Sequence, residues 1–226
     1  KKASRRERSR RLSGRRLTQA LEPSYFNVSQ IAKLVAPDDG SSEGGESVSF
    51  GAAVAIDGDT MVIGVPNYVP RGLTSRKAGA AFVYTRDIAG NLTASWTKRA
   101  RLLAFDSDGR SNVTNAVSFG RSVAISADTI VVGDSGYNLE DEAIGGAAFI
   151  FSRDVAGILT AGWTPRVMLR ASDAVVGDYF GTNLAISKDT IVVSMYTFIS
   201  GRKWTGAAYI FTRNVAADPT ASWTQR

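Results

Sequence analysis

Three aspartates recur in one setting along this chain: Asp59 in "IDGDT", Asp128 in "ISADT" and Asp189 in "ISKDT". A carboxylate can act as a general base, a metal ligand or a turn former, and its neighbours decide which. Each Asp here sits between two short runs rich in β-branched residues, such as Ser122–Ile125 and Thr129–Gly133. Asp bonds readily to nearby backbone and tolerates the left-handed conformation, so these positions read as turns. A second acidic fragment, Asp106-Ser107-Asp108-Gly109, has the first steps of a calcium loop but no distal Glu; Asp106 and Asp108 are metal candidates against the reading of a solvated turn. The chain contains no Cys and no His. It therefore lacks the usual ligands of zinc, the parts of a disulfide framework and the Ser-His pair of a nucleophilic hydrolase. No cofactor is implied, and calcium has only the Asp106–Asp108 fragment behind it.

The segments that must position such groups come in threes. "VSFGAAVAIDGDTMVIG" (Val48 to Gly64) returns as "VSFGRSVAISADTIVVG" (Val117 to Gly133) and as "DYFGTNLAISKDTIVVS" (Asp178 to Ser194). Gly79-Ala80-Ala81-Phe82-Val83-Tyr84 returns at Gly146 and at Gly206, and a tryptophan closes each unit at Trp96, Trp163 and Trp223. Repeats of this length mark a modular architecture.

Within a unit the pattern predicts two strands around the Asp-Thr turn and a third strand from the Gly-Ala-Ala. In the second unit Ala147, Phe149 and Phe151 line one face of that third strand, and Ala148 and Ile150 the other. Both faces are apolar, so both should be covered. A more charged, edge-like fourth strand follows the tryptophan and is interrupted by Pro165 in the second unit. No segment shows a helical apolar period. The expectation is an all-β chain, a β-propeller of four-stranded antiparallel blades with about three blades present, and Gly51, Gly120 and Gly181 letting the innermost strands converge. Ile31–Ala36 matches the fourth strand Arg99–Ala104, so the chain is expected to open with a fourth strand and to stop, at Trp223–Arg226, just before its last one. The N-terminal strand could complete the last blade. Three blades fall short of a closed ring, so further blades from the same parent chain or a partner chain are expected.

Spacings divide the unit into fixed and variable parts. Phe to the turn Thr is 10 residues in all three units, and the Gly of Gly-Ala-Ala to the Trp is 17 in all three. Phe to that Gly is 29, 27 and 26, and Trp to the next Phe is 23 and then 17. In an up-and-down blade both variable connections emerge on one face, where binding loops are found. The candidate ligand-binding residues are therefore Tyr68 and Arg71 in the first loop, Tyr137, Glu140, Asp141 and Glu142 in the second, and Tyr196, Phe198, Arg202, Lys203 and Trp204 in the third. Trp204 is the one tryptophan outside the repeat position.

The net charge of +6 is uneven. Residues 1–16 hold nine Lys or Arg against one Glu, and the other 210 carry 18 basic against 20 acidic residues. The balance describes a tail and not the body, which gives no reason to expect a specific nucleic-acid partner. Residues 1–24 read as a basic, flexible tail and 25–226 as repeats beginning near 48, 117 and 178. For the tail a solvated extension, a polybasic arm for membranes or other polyanions and a nuclear-localisation patch compete. The chain begins with Lys, which suggests a piece of a longer polypeptide. No apolar run reaches the ~18 residues of a membrane span. Sequons at Asn27, Asn91 and Asn112 are compatible with glycosylation and an extracellular or cell-surface location.

Phe-Gly at 50-51, 119-120 and 180-181, the "DTIVVG"-like second strand, and "GAAFIFSRD" followed by "WT" together resemble the FG-GAP repeat family, the blades of the integrin α-subunit propeller and of many secreted repeat proteins. The resemblance covers Ile31 to Arg226. Two departures stand out. The family's Gly-Ala-Pro is Gly64-Val65-Pro66, Gly133-Asp134-Ser135 and Ser194-Met195-Tyr196 here, and the Asp/Asn-rich calcium loop of integrin-type blades is replaced by short turns, so that calcium is not carried over. The resemblance implies a non-enzymatic extracellular recognition, adhesion or structural module that binds a protein or glycan. Alternatives are a lectin using Trp96, Trp163 and Trp223 between blades, or an accessory domain of a larger secreted enzyme.

Overall fold

The computed structural model describes residues 30, 32–36, 49–70, 78–106, 108–111, 114–138, 145–175, 177–197 and 205–226. Leu34–Arg226 is one compact unit. Of Lys1–Lys33, only Gln30, Ala32 and Lys33 are described, and there the Gln30 side-chain amide donates to the Ala32 carbonyl. The expected tail, residues 1–24, lies outside the described residues.

Among the described residues, twelve strands build three sheets of one design. The first holds β1 (Ala53–Asp57), β2 (Thr60–Val65), β3 (Ala80–Arg86) and β4 (Trp96–Leu102). The second holds β5 (Ser122–Ser126), β6 (Thr129–Asp134), β7 (Ala147–Arg153) and β8 (Trp163–Leu169). The third holds β9 (Leu184–Ser187), β10 (Thr190–Thr197), β11 (Thr205–Arg213) and β12 (Trp223–Gln225). Every pairing is antiparallel between sequence neighbours, which makes each sheet an up-and-down meander. The first strands lie together, β1 on β5 and β5 on β9, as in the blades of a propeller. Among the described residues the three blades do not close into a ring.

The two-residue turn between first and second strands follows the sequence reading with one correction. Positive φ falls on the residue before the aspartate, at Gly58, Ala127 and Lys188, and not on Asp59, Asp128 or Asp189. The aspartates keep ordinary backbone and have their carboxylates free for other work.

Three apolar clusters order the sheets. In the second sheet the alternation of β7 sends Ala147, Phe149 and Phe151 into the cluster shared with the first sheet, and Ala148 and Ile150 into the cluster shared with the third. Both faces of this strand are buried, as the pattern predicts. Phe119 and Phe180 are wholly buried at the head of their sheets; burying one phenylalanine contributes roughly 2–3 kcal/mol. The third cluster, Ile63, Val65, Tyr68, Ala80, Phe82 and Tyr84, covers the remaining face of the first sheet, with Leu34 and Phe50 packed against it.

The ends of the units depart from expectation. The fourth strand begins at the tryptophan itself and not after it, so the third sheet has its own fourth strand, three residues long. Residues 32–36 form no strand, and Leu34 packs on the first sheet without completing the last one; Ile31 lies outside the described residues. Pro165 is accommodated in β8, an outermost strand with a register shift facing Ile150 and Phe151.

The second and third Phe-Gly pairs join their blade to the blade before it, beside the contacts of β1 with β5 and of β5 with β9. Phe119 donates its N–H to Ala78 at 3.2 Å and Phe180 to Gly145 at 3.2 Å, forming parallel bridges Gly79–Phe119 and Gly146–Phe180. Gly120 and Gly181 have φ of 92° and 88°. A Cβ on either would also run into a carbonyl oxygen of the preceding blade, Ala80 or Ala147. Gly120→Ala should therefore destabilise by about 2–5 kcal/mol, combining dihedral strain with overpacking. Gly90→Ala, at a positive φ in open space, should lose only the strain part of about 1–2 kcal/mol. Urea unfolding of the two variants against the parent compares them directly.

Candidate functional site

The two ends of the blades are built differently. At one end lie the first-to-second and third-to-fourth turns. There Asp59, Asp128 and Asp189 meet Arg86, Arg153 and Arg213, the last residues of β3, β7 and β11, with N–O distances of 2.9, 2.6 and 3.3 Å. The same carboxylates accept the N–H of Gly90 (2.7 Å), Gly157 (3.0 Å) and Ala217 (2.9 Å). Each guanidinium then stacks on the tryptophan that opens the next strand, at 4.6, 4.5 and 4.8 Å from Trp96, Trp163 and Trp223.

This node also crosses between blades, because Arg153 donates to Thr60 Oγ1 at 2.9 Å and Arg213 to Thr129 Oγ1 at 2.8 Å. A planar donor with five N–H groups can satisfy a carboxylate, a hydroxyl and a ring face together; a lysine cannot. The sequence carried a signal for these arginines that the reading missed. Each stands 10 residues before its tryptophan in all three units.

At the opposite end emerge the second-to-third loops and the connections between blades. Their anchor in the second blade is Asp134, which is completely buried. Its Oδ1 accepts the N–H of Ser118 (2.9 Å) and of Gly136 (3.1 Å) and the Ser118 hydroxyl (2.9 Å), and its Oδ2 accepts the N–H of Val117 (3.1 Å). Those bonds favour the carboxylate, but burial outweighs them and raises its pKa to about 6. Val65 and Met195 hold the matching places, so repetition gave no hint of this residue.

Of the sequence candidates, Tyr68 and Tyr137 are corrected from ligand contacts to core residues. Each is 3% exposed. Tyr68 packs edge-on to Phe82 and Tyr137 edge-on to Phe149, and each backbone carbonyl accepts two N–H groups from the two residues just before the following third strand. An aromatic ring that closes a loop over a sheet is buried by that act. Tyr196 does reach the surface, stacked on Tyr179 at 4.8 Å and 22°. Tyr179 was not among the candidates, because the other units have Ser49 and Ser118 at its position. Arg71, Glu140, Asp141, Glu142, Phe198, Arg202, Lys203 and Trp204 lie outside the described residues.

Asp106 is accounted for by its own turn. Its Oδ1 accepts the N–H of Asp108 at 3.0 Å and of Arg110 at 2.9 Å, and Asp108 lies 4.0 Å from the Arg110 guanidinium. Among the described residues no group of three or more acidic side chains could hold a metal ion. Asn91 is exposed on the third-to-fourth turn of the first blade, and its Oδ1 accepts from the Thr93 N–H and hydroxyl. Asn27 and Asn112 lie outside the described residues.

A family model described as FG-GAP repeat matches residues 28–84, 96–151 and 163–211. The second and third matches start at the tryptophan that opens a fourth strand, so the sequence unit straddles two sheets. No curated protein matches the chain.

Arg153→Ala should cost about 3 kcal/mol in urea unfolding, because it leaves the Asp128 carboxylate without its cation and uncovers Trp163. Arg86→Ala should cost less, since Arg86 has no described threonine of a preceding blade to hold. Asp134 gives a pH signature. Its folded pKa of about 6 exceeds the unfolded value of 3.8, so its contribution is fully present below about pH 4 and lost as pH rises through 6. Stability should fall over that range by about 3 kcal/mol relative to Asp134→Val, which lacks the group, as the difference in thermal unfolding between pH 4 and pH 7 will show.

Proposed function

Because this chain belongs to the FG-GAP repeat family, we propose that it is a non-enzymatic recognition or structural module working outside the cell, binding a protein or glycan through the loops at one end of its blades. The observation that carries this reading is the asymmetry between ends. At the node end each of the three aspartates holds an arginine, a backbone N–H and, through the arginine, a tryptophan. Such an end is built for rigidity and varies little. All of the length variation between units falls at the other end, on a scaffold held firm from below, as binding loops are in many folds.

Surface chemistry at the loop end suits macromolecular recognition. The Tyr179–Tyr196 stack offers an amphipathic aromatic platform, and Arg202, Lys203 and Trp204 follow Tyr196 in the sequence. A lectin pocket formed by the repeated tryptophans is disfavoured, because an arginine already lies over the ring of each.

The test is to probe arrays of extracellular proteins and glycans with the intact chain, then to repeat the strongest interaction with Tyr196→Ala and Trp204→Ala. At least one of the two should weaken binding roughly tenfold, the loss of one aromatic anchor. Ile88→Ala, on an exposed node-end turn, should leave it unchanged. Binding that ignores both loop variants and responds at the node end would overturn the reading.

A further inference from the structure

The triplet Asn91-Leu92-Thr93 lies in the third-to-fourth turn of the first blade, at the node end and away from the loops assigned to binding. All three residues are exposed, Leu92 by 69%. The second blade exposes the same turn, with Val155 and Ile158 at 56% and 49%, although its first strand lies between those of the other two blades. Exposure here belongs to the turn itself.

One set of backbone bonds builds this turn in every unit. Asn91 donates its N–H to the Ile88 carbonyl at 3.2 Å and accepts from the Ala94 N–H at 3.1 Å. Ile158 does the same with Val155 at 3.2 Å and Ala161 at 3.0 Å, and Asp218 with Val215 at 3.3 Å and Ala221 at 3.2 Å. Asn, Ile and Asp all serve at this position, so the fold makes no demand for an amide. The Asn91 side chain is nevertheless held in one orientation. Its Oδ1 accepts the Thr93 N–H at 3.0 Å and the Thr93 hydroxyl at 2.8 Å, as Asp218 accepts those of Thr220 at 2.8 and 2.7 Å. Among the described residues the Asn91 Nδ2 has no hydrogen-bond partner. An exposed Asn two residues before a Thr, with no Pro between them, matches the acceptor of an N-linked oligosaccharide. The other units lack this match, because the second has Ile158 and the third has Asp218 followed by Pro219.

We propose that Asn91 takes an N-linked oligosaccharide on its Nδ2, and that the node-end turn is what presents it. In the natural protein this rests on the reading of a module that works outside the cell. The co-substrate is an oligosaccharide carried on a lipid pyrophosphate. Nδ2 attacks the anomeric carbon of its first sugar, and the new C–N bond forms as the C–O bond to phosphate breaks. The lipid pyrophosphate leaves with that bonding pair, and one amide proton passes to the transferring enzyme.

A glycan at this place suits both ends of the blade. Ile88 and Leu92 stand on either side of Asn91 in the turn, 59% and 69% exposed, and belong to none of the three apolar clusters. Sugar on Asn91 shields this aliphatic pair from water. The second-to-third loops emerge at the opposite end and stay clear of it.

Secretion of the 226-residue chain from cells that glycosylate exported proteins, with peptide mass mapping before and after enzymatic glycan release, tests this. Asn91 should carry glycan in most molecules. Asn91→Gln and Thr93→Ala should each lose it, and Thr93→Ser should keep it. Ile158→Asn, which completes the triplet with Thr160 in the equivalent turn of the second blade, should gain a further glycan at that position. An unmodified Asn91 in the secreted chain overturns the site, and an unmodified residue 158 in that variant overturns the part given to the turn. The same mapping on the natural protein separates this proposal from the one it rests on. Glycan on the secreted chain but not on the natural one upholds the site and overturns the location outside the cell.

Discussion

Backbone meets backbone where one blade joins the next, and the rest of the architecture follows from that contact. Gly64 faces the Gly120 carbonyl, Gly79 faces Phe119, and the same pairs recur one blade on at Gly133–Gly181 and Gly146–Phe180. No side chain fits between them. Phe119 and Phe180 are thereby held at the heads of their own sheets, fully buried, while their N–H groups are fixed on the preceding blade. Sheets that meet this closely must keep small residues on the third strand, which is why Gly-Ala-Ala recurs ahead of the aromatic positions. Packing at this density tolerates little change in volume.

Electrostatics secures the other end. A repeated carboxylate in a tight turn would be an exposed and weak feature by itself. Here it gains a guanidinium that is largely buried, a backbone donor and, beyond the guanidinium, an indole face. Arg153 and Arg213 add a hydroxyl from the neighbouring blade. The glycine corners and the arginine nodes therefore grip adjacent blades at opposite ends of the strands. Between them the apolar clusters fill the space, and the loop end is left to vary without loosening the stack.

The three units have not diverged evenly. Val65, Asp134 and Met195 hold one position, and only the aspartate gathers the backbone of the loop before its Phe-Gly corner. Ser49, Ser118 and Tyr179 hold another, and only the tyrosine builds an aromatic stack at the surface. Variation of this kind gives each blade its own loop chemistry on a common frame.

Much of the frame was legible in the sequence. Alternation in Ala147–Phe151 implied a strand buried on both faces, fixed spacings located the rigid end, and repetition gave the blade count. These features are local or periodic, and a strand's two-residue period follows from backbone geometry alone. The candidate site was less legible. Tyr68 and Tyr137 looked like loop aromatics because a loop that folds back over its own sheet is invisible to spacing. Arg86, Arg153 and Arg213 looked like ordinary strand ends, because their partners arrive from a turn some 25 residues away and, for two of them, from another blade. The sequence by itself determined strand order, periodicity and the positions where only small residues serve, since each depends on neighbours along the chain. Which carboxylate is buried and which aromatic reaches solvent were decided only by the tertiary structure, since burial depends on what the rest of the chain brings from a distance.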